Sequence, residues 1–81
     1  MHSMNISEII NILKYKNICG LQVSKRNGVI STTWILYKKG GFYYYFDINQ
    51  TVEFVDKYKY SEEELKNEFK YSTYNIDLTI S

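Results

Sequence analysis

Two reversals, Asn27-Gly28 and Gly40-Gly41, interrupt a stretch otherwise dense in β-branched and aromatic residues. They constrain the fold more than any other feature, because tight hairpin turns need positive φ, which Gly and Asn supply most readily. The spacing predicts a three-strand meander over residues 18–26, 29–38 and 42–47. A two-residue Asn27-Gly28 turn pairs Leu21 with Trp34 and Val23 with Thr32. Leu21, Val23, Ile30, Trp34 and Leu36 then share one face, and Gln22, Ser24, Arg26, Ser31 and Thr33 share the other. In the second hairpin, loop length decides the facing. A two-residue loop sets Tyr43 and Tyr45 beside Trp34, whereas a three-residue loop, Lys39-Gly40-Gly41, sets Phe42, Tyr44 and Phe46 there. The second option gathers both phenylalanines onto the buried face and is the expected register, because one-face burial specifies pairing.

Helical periodicity flanks the meander. Ile6, Ile9, Ile10 and Leu13 predict a first helix over residues 6–16. Asn5 with Glu8 forms a capping-box pattern, Met4 can staple onto Ile9, and Lys14 and Lys16 suit the negative end of the helix dipole. Residues 47–51 read as a helix start, with Ile48, Val52, Val55 and Tyr58 as the stripe of a short second helix. Ser61 with Glu64 is a second capping box, with Tyr60 stapled to Leu65, for a third helix anchored on Leu65 and Phe69. Glu62 can pair with Lys66 one turn on. Tyr74, Ile76, Leu78 and Ile80 alternate with polar residues as a half-buried C-terminal strand. The expected fold is α+β, in the order α-β-β-β-α-α-β, with the helices on one face of a four-stranded antiparallel sheet.

At 81 residues the chain has room for one domain and a modest core. Met1-His2-Ser3 ahead of a second methionine looks like a cloning remnant, so the domain is expected over residues 4–81. Ten Lys and Arg face nine Asp and Glu, which argues against nucleic-acid binding by bulk charge. The charges are unevenly placed. Residues 1–41 carry Lys14, Lys16, Lys25, Arg26, Lys38 and Lys39 against Glu8, whereas the acids concentrate in residues 42–81. Such a division is either ordinary solvated surface or a field that steers a partner.

Catalytic chemistry finds little to work with. Cys19 is the only cysteine, which excludes an internal disulfide, fits a reducing cytoplasm and reads as a small core residue. A structural zinc needs four ligands, and the chain offers one Cys and His2. There is no nucleophile–base pair and no glycine-rich phosphate loop. Asp47, Glu53 and Asp56 read as helix-start and surface charges. No apolar run has the length of a membrane span. The chain is therefore expected to be no enzyme, and to use no cofactor and no metal.

Binding is the better-supported expectation, because aromatic residues make up 17% of the chain, nine of them tyrosines. In the expected register Trp34, Phe42, Tyr44 and Phe46 are core, and Tyr37, Tyr43 and Tyr45 stand on the opposite face. That face is a partner-binding surface, a platform for stacked bases, or simply cross-strand pairing. The order α-β-β-β-α is similar to that of the double-stranded RNA-binding domain, whose last helix begins with lysines where this chain has Glu62-Glu63-Glu64. Glu62, Glu63, Glu64 and Glu68 either complement the helix dipole or imitate phosphates for a basic groove.

The opening Met4-Asn5-Ile6-Ser7-Glu8-Ile9-Ile10-Asn11-Ile12-Leu13-Lys14 resembles the start of the small phage anti-CRISPR proteins that inhibit type II CRISPR nucleases. The element order is similar too. The resemblance implies a phage-type inhibitor that docks stoichiometrically on a bacterial defence or host protein, first of all a CRISPR effector nuclease. It would act in the cytoplasm of an infected or lysogenic host. That family is strongly acidic and imitates the DNA of the protospacer-adjacent motif. This chain is close to neutral, has a basic first half and adds a C-terminal strand. Its richness in Ile, Asn, Lys and Tyr, without proline, fits a low-GC genome. The alternatives are a small nucleic-acid-binding domain using the tyrosine face, or a structural subunit.

Overall fold

Both hairpin turns take the form that glycine makes cheapest, and the register of the sheet follows from them. The structure is a computed structural model that describes residues 3–81; Met1 and His2 of the expected remnant lie outside the described residues. The elements are β1 (Met4–Asn5), α1 (Ile6–Tyr15), β2 (Gly20–Asn27), β3 (Ile30–Lys39), β4 (Phe42–Asp47), a 3₁₀ turn (Asp56–Tyr58), β5 (Lys59–Tyr60), α2 (Glu62–Glu68) and β6 (Thr73–Ile80). All six strands join one antiparallel sheet in the order β1-β6-β2-β3-β4-β5. The protein is α+β, but the expected four-stranded sheet with three helices is corrected, among the described residues, to six strands and two α-helices.

In the first hairpin the turn is Gly28-Val29 rather than Asn27-Gly28, and Asn27 pairs with Ile30. Gly28 has φ 67° and, among the described residues, no non-glycine has positive φ, the pattern of a type II′ turn with Gly at its first central position. Leu21 therefore pairs with Leu36 and Val23 with Trp34. The register differs from the expected one by two residues, so the facing survives. In the second hairpin Lys39 pairs with Phe42 across a two-residue Gly40-Gly41 turn. Both glycines have positive φ, 60° and 81°, as a type I′ turn requires. The expected three-residue loop is thus overturned, and with it the facing of β4. Tyr43 and Tyr45 join the face of Trp34, and Phe42, Tyr44 and Phe46 take the other.

Both helices pack on the Trp34 face. Each begins with a reciprocal capping box, Asn5 with Glu8 and Ser61 with Glu64, as the sequence predicts. Ile6, Ile9, Ile10 and Leu13 of α1 and Leu65 of α2 bury against Leu21, Val23, Leu36, Tyr43 and Tyr74. Each such aliphatic side chain contributes roughly 1.5–3 kcal/mol by leaving water. Trp34 is half-buried at the margin of this core, stacked on Tyr45 and edge-on to Tyr74.

The C-terminal strand does not alternate evenly. Gln22 pairs with Leu78 and Val23 with Ile76, which leaves Asp77 as the extra residue of a bulge. Its carboxylate accepts a hydrogen bond from the Ser24 hydroxyl at 3.1 Å. The bulge keeps Tyr74 and Ile76 on the helix side and turns Leu78, 49% exposed, to the opposite side. The expected stripe of Tyr74, Ile76, Leu78 and Ile80 is thereby split between two faces.

The expected second helix is absent. The Asn49 amide donates to the Asp47 carboxylate, the Gln50 amide to the Asp47 carbonyl, and the Asp47 amide to the Gln50 side chain. These local bonds close a turn that competes with helix. The following Thr51 and Val52 are β-branched and weak helix formers. Residues 48–55 instead form a strap across the back of β3 and β4.

Candidate partner-binding surfaces

The strap is positioned by its rings. Phe54 meets Tyr37, Tyr44 and Phe46 edge-on, with centroids 5.6, 5.1 and 6.1 Å away. Tyr58 tilts against Phe46 at 5.1 Å. Phe46 is fully buried between sheet and strap, and Tyr44 nearly so. The back of the sheet therefore has a small aromatic core of its own.

The outer side of the strap is open to solvent. Ile48, Val52, Phe54 and Val55 are each 40–45% exposed, and Phe42 of the neighbouring strand is 38% exposed. Cations edge this surface: the Lys39 ammonium lies 4.2 Å from the Phe54 centroid and that of Lys59 4.0 Å from Phe42. Sequence reasoning missed the surface because it placed Ile48, Val52 and Val55 on the buried stripe of a helix. The available signal was Phe54, an aromatic that the expected stripe of Ile48, Val52, Val55 and Tyr58 left out.

The three tyrosines singled out from the sequence do not form one surface. Tyr43 is 4% exposed beneath the helices, and Tyr45 is stacked between Trp34 and Phe69 on the same side. Tyr37 lies on the back, half-buried against Phe46 and Phe54. The expected exposed face of Tyr37, Tyr43 and Tyr45 is corrected accordingly. Burial pushes the Tyr45 phenol well above its usual range, and its hydrogen bond with Tyr74 adds to the shift. Burial also raises Tyr43, reinforced by the Glu62 carboxylate nearby.

Of the four glutamates, two are occupied. Glu62 bridges Lys66 at 3.0 Å and Lys14 at 3.1 Å, tying α2 to α1, and those two ammonium groups hold its carboxyl below the usual range. Glu64 accepts from the Ser61 amide at 2.8 Å, and the Ser61 bonds lower its pKa as well. Glu63 and Glu68 are exposed and make no ion pair among the described residues.

The remaining sequence candidates do not converge. Asp47 is held in the 47–50 turn, and Asp56 stands 3.8 Å from Lys59. Cys19 is exposed rather than in the core. Among the described residues no group of three or more His, Cys, Asp or Glu side chains is placed to hold a metal ion. No helix among them is long and apolar enough to cross a membrane. Compared with known proteins, the chain matches no family model, no curated protein and no solved structure.

Proposed function

We propose that this chain acts by occupancy rather than turnover, as a phage-type inhibitor that docks on a bacterial defence or host protein in the host cytoplasm. The first target to test is a type II CRISPR effector nuclease. The observation that carries the docking reading is the strap: four large apolar side chains are exposed in eight consecutive residues, on a base of packed aromatic rings. A monomer gains nothing from such exposure, whereas an interface is built around apolar and aromatic anchors. The preorganised Phe54 cluster also lowers the ordering cost of binding. Exposed Glu63 and Glu68 supply a secondary polar contact at a separate place. The target class is supported by the resemblance of residues 4–14 to the anti-CRISPR family.

The test is a cleavage titration with a purified, guide-loaded type II effector from a low-GC bacterium. An inhibitor that works by occupancy gives a linear loss of cleavage ending near equimolar inhibitor and nuclease. Unimpaired cleavage at a roughly tenfold molar excess, well above any useful Kd, removes that target. The same result with the other defence nucleases of such hosts removes the inhibitor reading.

A further inference from the structure

A cleft of about 500 Å³ opens between the outer end of the β2–β3 hairpin and the chain that joins α2 to β6. Lys25, Arg26 and Trp34 line it from the hairpin, and Tyr71, Ser72 and Thr73 from the connection. Among the described residues no acid lines it. The Lys25 ammonium is the informative group. It donates to the Ser72 hydroxyl at 3.2 Å and lies 5.3 Å from the Trp34 ring and 5.7 Å from the Tyr74 ring. Among the described residues it has no carboxylate partner. A half-buried cation oriented by two rings and one hydroxyl keeps donors free for an anion, because an ammonium carries three. Tyr71, 90% exposed, stands at the rim and offers flat apolar area beside the anion-binding groups.

We propose that this cleft binds a nucleoside phosphate. Lys25 takes the phosphate together with the Ser72 hydroxyl, and Tyr71 packs against the base. Charge-assisted bonds to phosphate and stacking on an aromatic side chain are the two recurrent means of holding such a ligand, and the cleft volume is that of a small-molecule site. The ligand is a free nucleotide or one unit of a single strand, which present the same chemistry. The inference is independent of the docking reading, since the cleft shares none of these residues with the strap.

Trp34 is the only tryptophan, so its fluorescence reports on the cleft directly. The isolated protein is titrated with 5′-AMP, 5′-UMP, the parent nucleosides, inorganic phosphate and a short single-stranded oligonucleotide. The amide shifts of Lys25, Ser72 and Thr73 are followed by NMR in parallel. Saturable binding of the monophosphates is expected, with nucleosides and inorganic phosphate each weaker by roughly tenfold or more, because each lacks one half of the recognition. Lys25→Gln should weaken binding by roughly tenfold. Ser72→Asp, which sets a carboxylate against the Lys25 ammonium, should do the same. Equal affinity for mononucleotide and oligonucleotide assigns the cleft to the free nucleotide. A markedly tighter, salt-sensitive oligonucleotide complex assigns it to a strand. The proposal is overturned if neither fluorescence nor shifts respond to ~10 mM monophosphate, a concentration that would reveal even millimolar binding. It is equally overturned if inorganic phosphate binds as well as the nucleotides, or if both variants bind like wild type.

Discussion

Tyr45 links the two halves of the packing on the helix side. Its ring stacks on Trp34 at 5.9 Å and on Phe69 at 4.5 Å, and its hydroxyl meets that of Tyr74 at 3.2 Å. The phenol is thus satisfied as well as buried, which is how a core accepts a polar tip. Tyr45→Phe removes that bond and should cost about 1 kcal/mol at neutral pH, the usual net value of one hydrogen bond. It should also change the alkaline behaviour. The folded pKa of Tyr45 lies above its unfolded value, so its contribution to stability is complete below about pH 10 and is lost as pH rises beyond that. Melting temperatures followed from pH 8 to 11 should fall less steeply for Tyr45→Phe than for wild type. A residual slope is expected from Tyr43 and Tyr60, whose phenols are raised by burial too. Parallel curves would show that Tyr45 is not the group responsible.

Among the elements, β4 is decided by its turn rather than by its own hydrophobic pattern. The run Phe42-Tyr43-Tyr44-Tyr45-Phe46 has large rings on both faces, so burial alone does not specify which face turns inward. Gly40 and Gly41 settle the facing by adopting positive φ together. Gly41→Ala forces a side chain into that conformation and should cost ~1–2 kcal/mol, read as a lowered urea midpoint at unchanged slope. An unchanged midpoint would contradict the type I′ turn. The same contrast explains what could be read from the sequence. The capping boxes at Asn5 and Ser61 are local, involving residues three apart, and they form as predicted. The facing of β2 and β3 survived a misplaced turn because the shift was two residues. Residues 48–58 carry a helical stripe, yet their packing depends on the distant rings of Tyr37, Tyr44 and Phe46, which no local pattern reveals. β1 and β5, two residues each, exist only because β6 and β4 lie beside them. The tyrosine surface rested on the facing of β4 and fell with it, whereas the glutamates of α2 rested on a local cap and kept their place.

At the scale of the whole molecule, the sheet is aromatic on both sides but covered differently on each. Two capped helices close the Trp34 side, and a strap with no regular hydrogen-bonded structure over residues 51–54 closes the back. The helices bury Ile6, Ile9, Ile10, Leu13 and Leu65, whereas the strap leaves Ile48, Val52, Phe54 and Val55 part-exposed to solvent. On the docking reading proposed above, that asymmetry favours the back of the sheet as the docking side and gives Glu63 and Glu68 a peripheral role. Contacts through apolar anchors should resist salt, whereas contacts through glutamates should weaken steeply as ionic strength rises. The most direct measurement compares two variants in the nuclease titration at low and physiological salt. Val52→Asp/Val55→Asp places charges on exposed strap residues, and Glu63→Lys/Glu68→Lys reverses the two exposed glutamates that make no ion pair among the described residues. With both variants folded as wild type, docking through the strap predicts that the valine variant loses inhibition by roughly tenfold or more, as for a hot-spot pair. The glutamate variant should stay close to wild type at both salt concentrations. Full inhibition by the valine variant, with loss confined to the glutamate variant, would contradict docking through the strap.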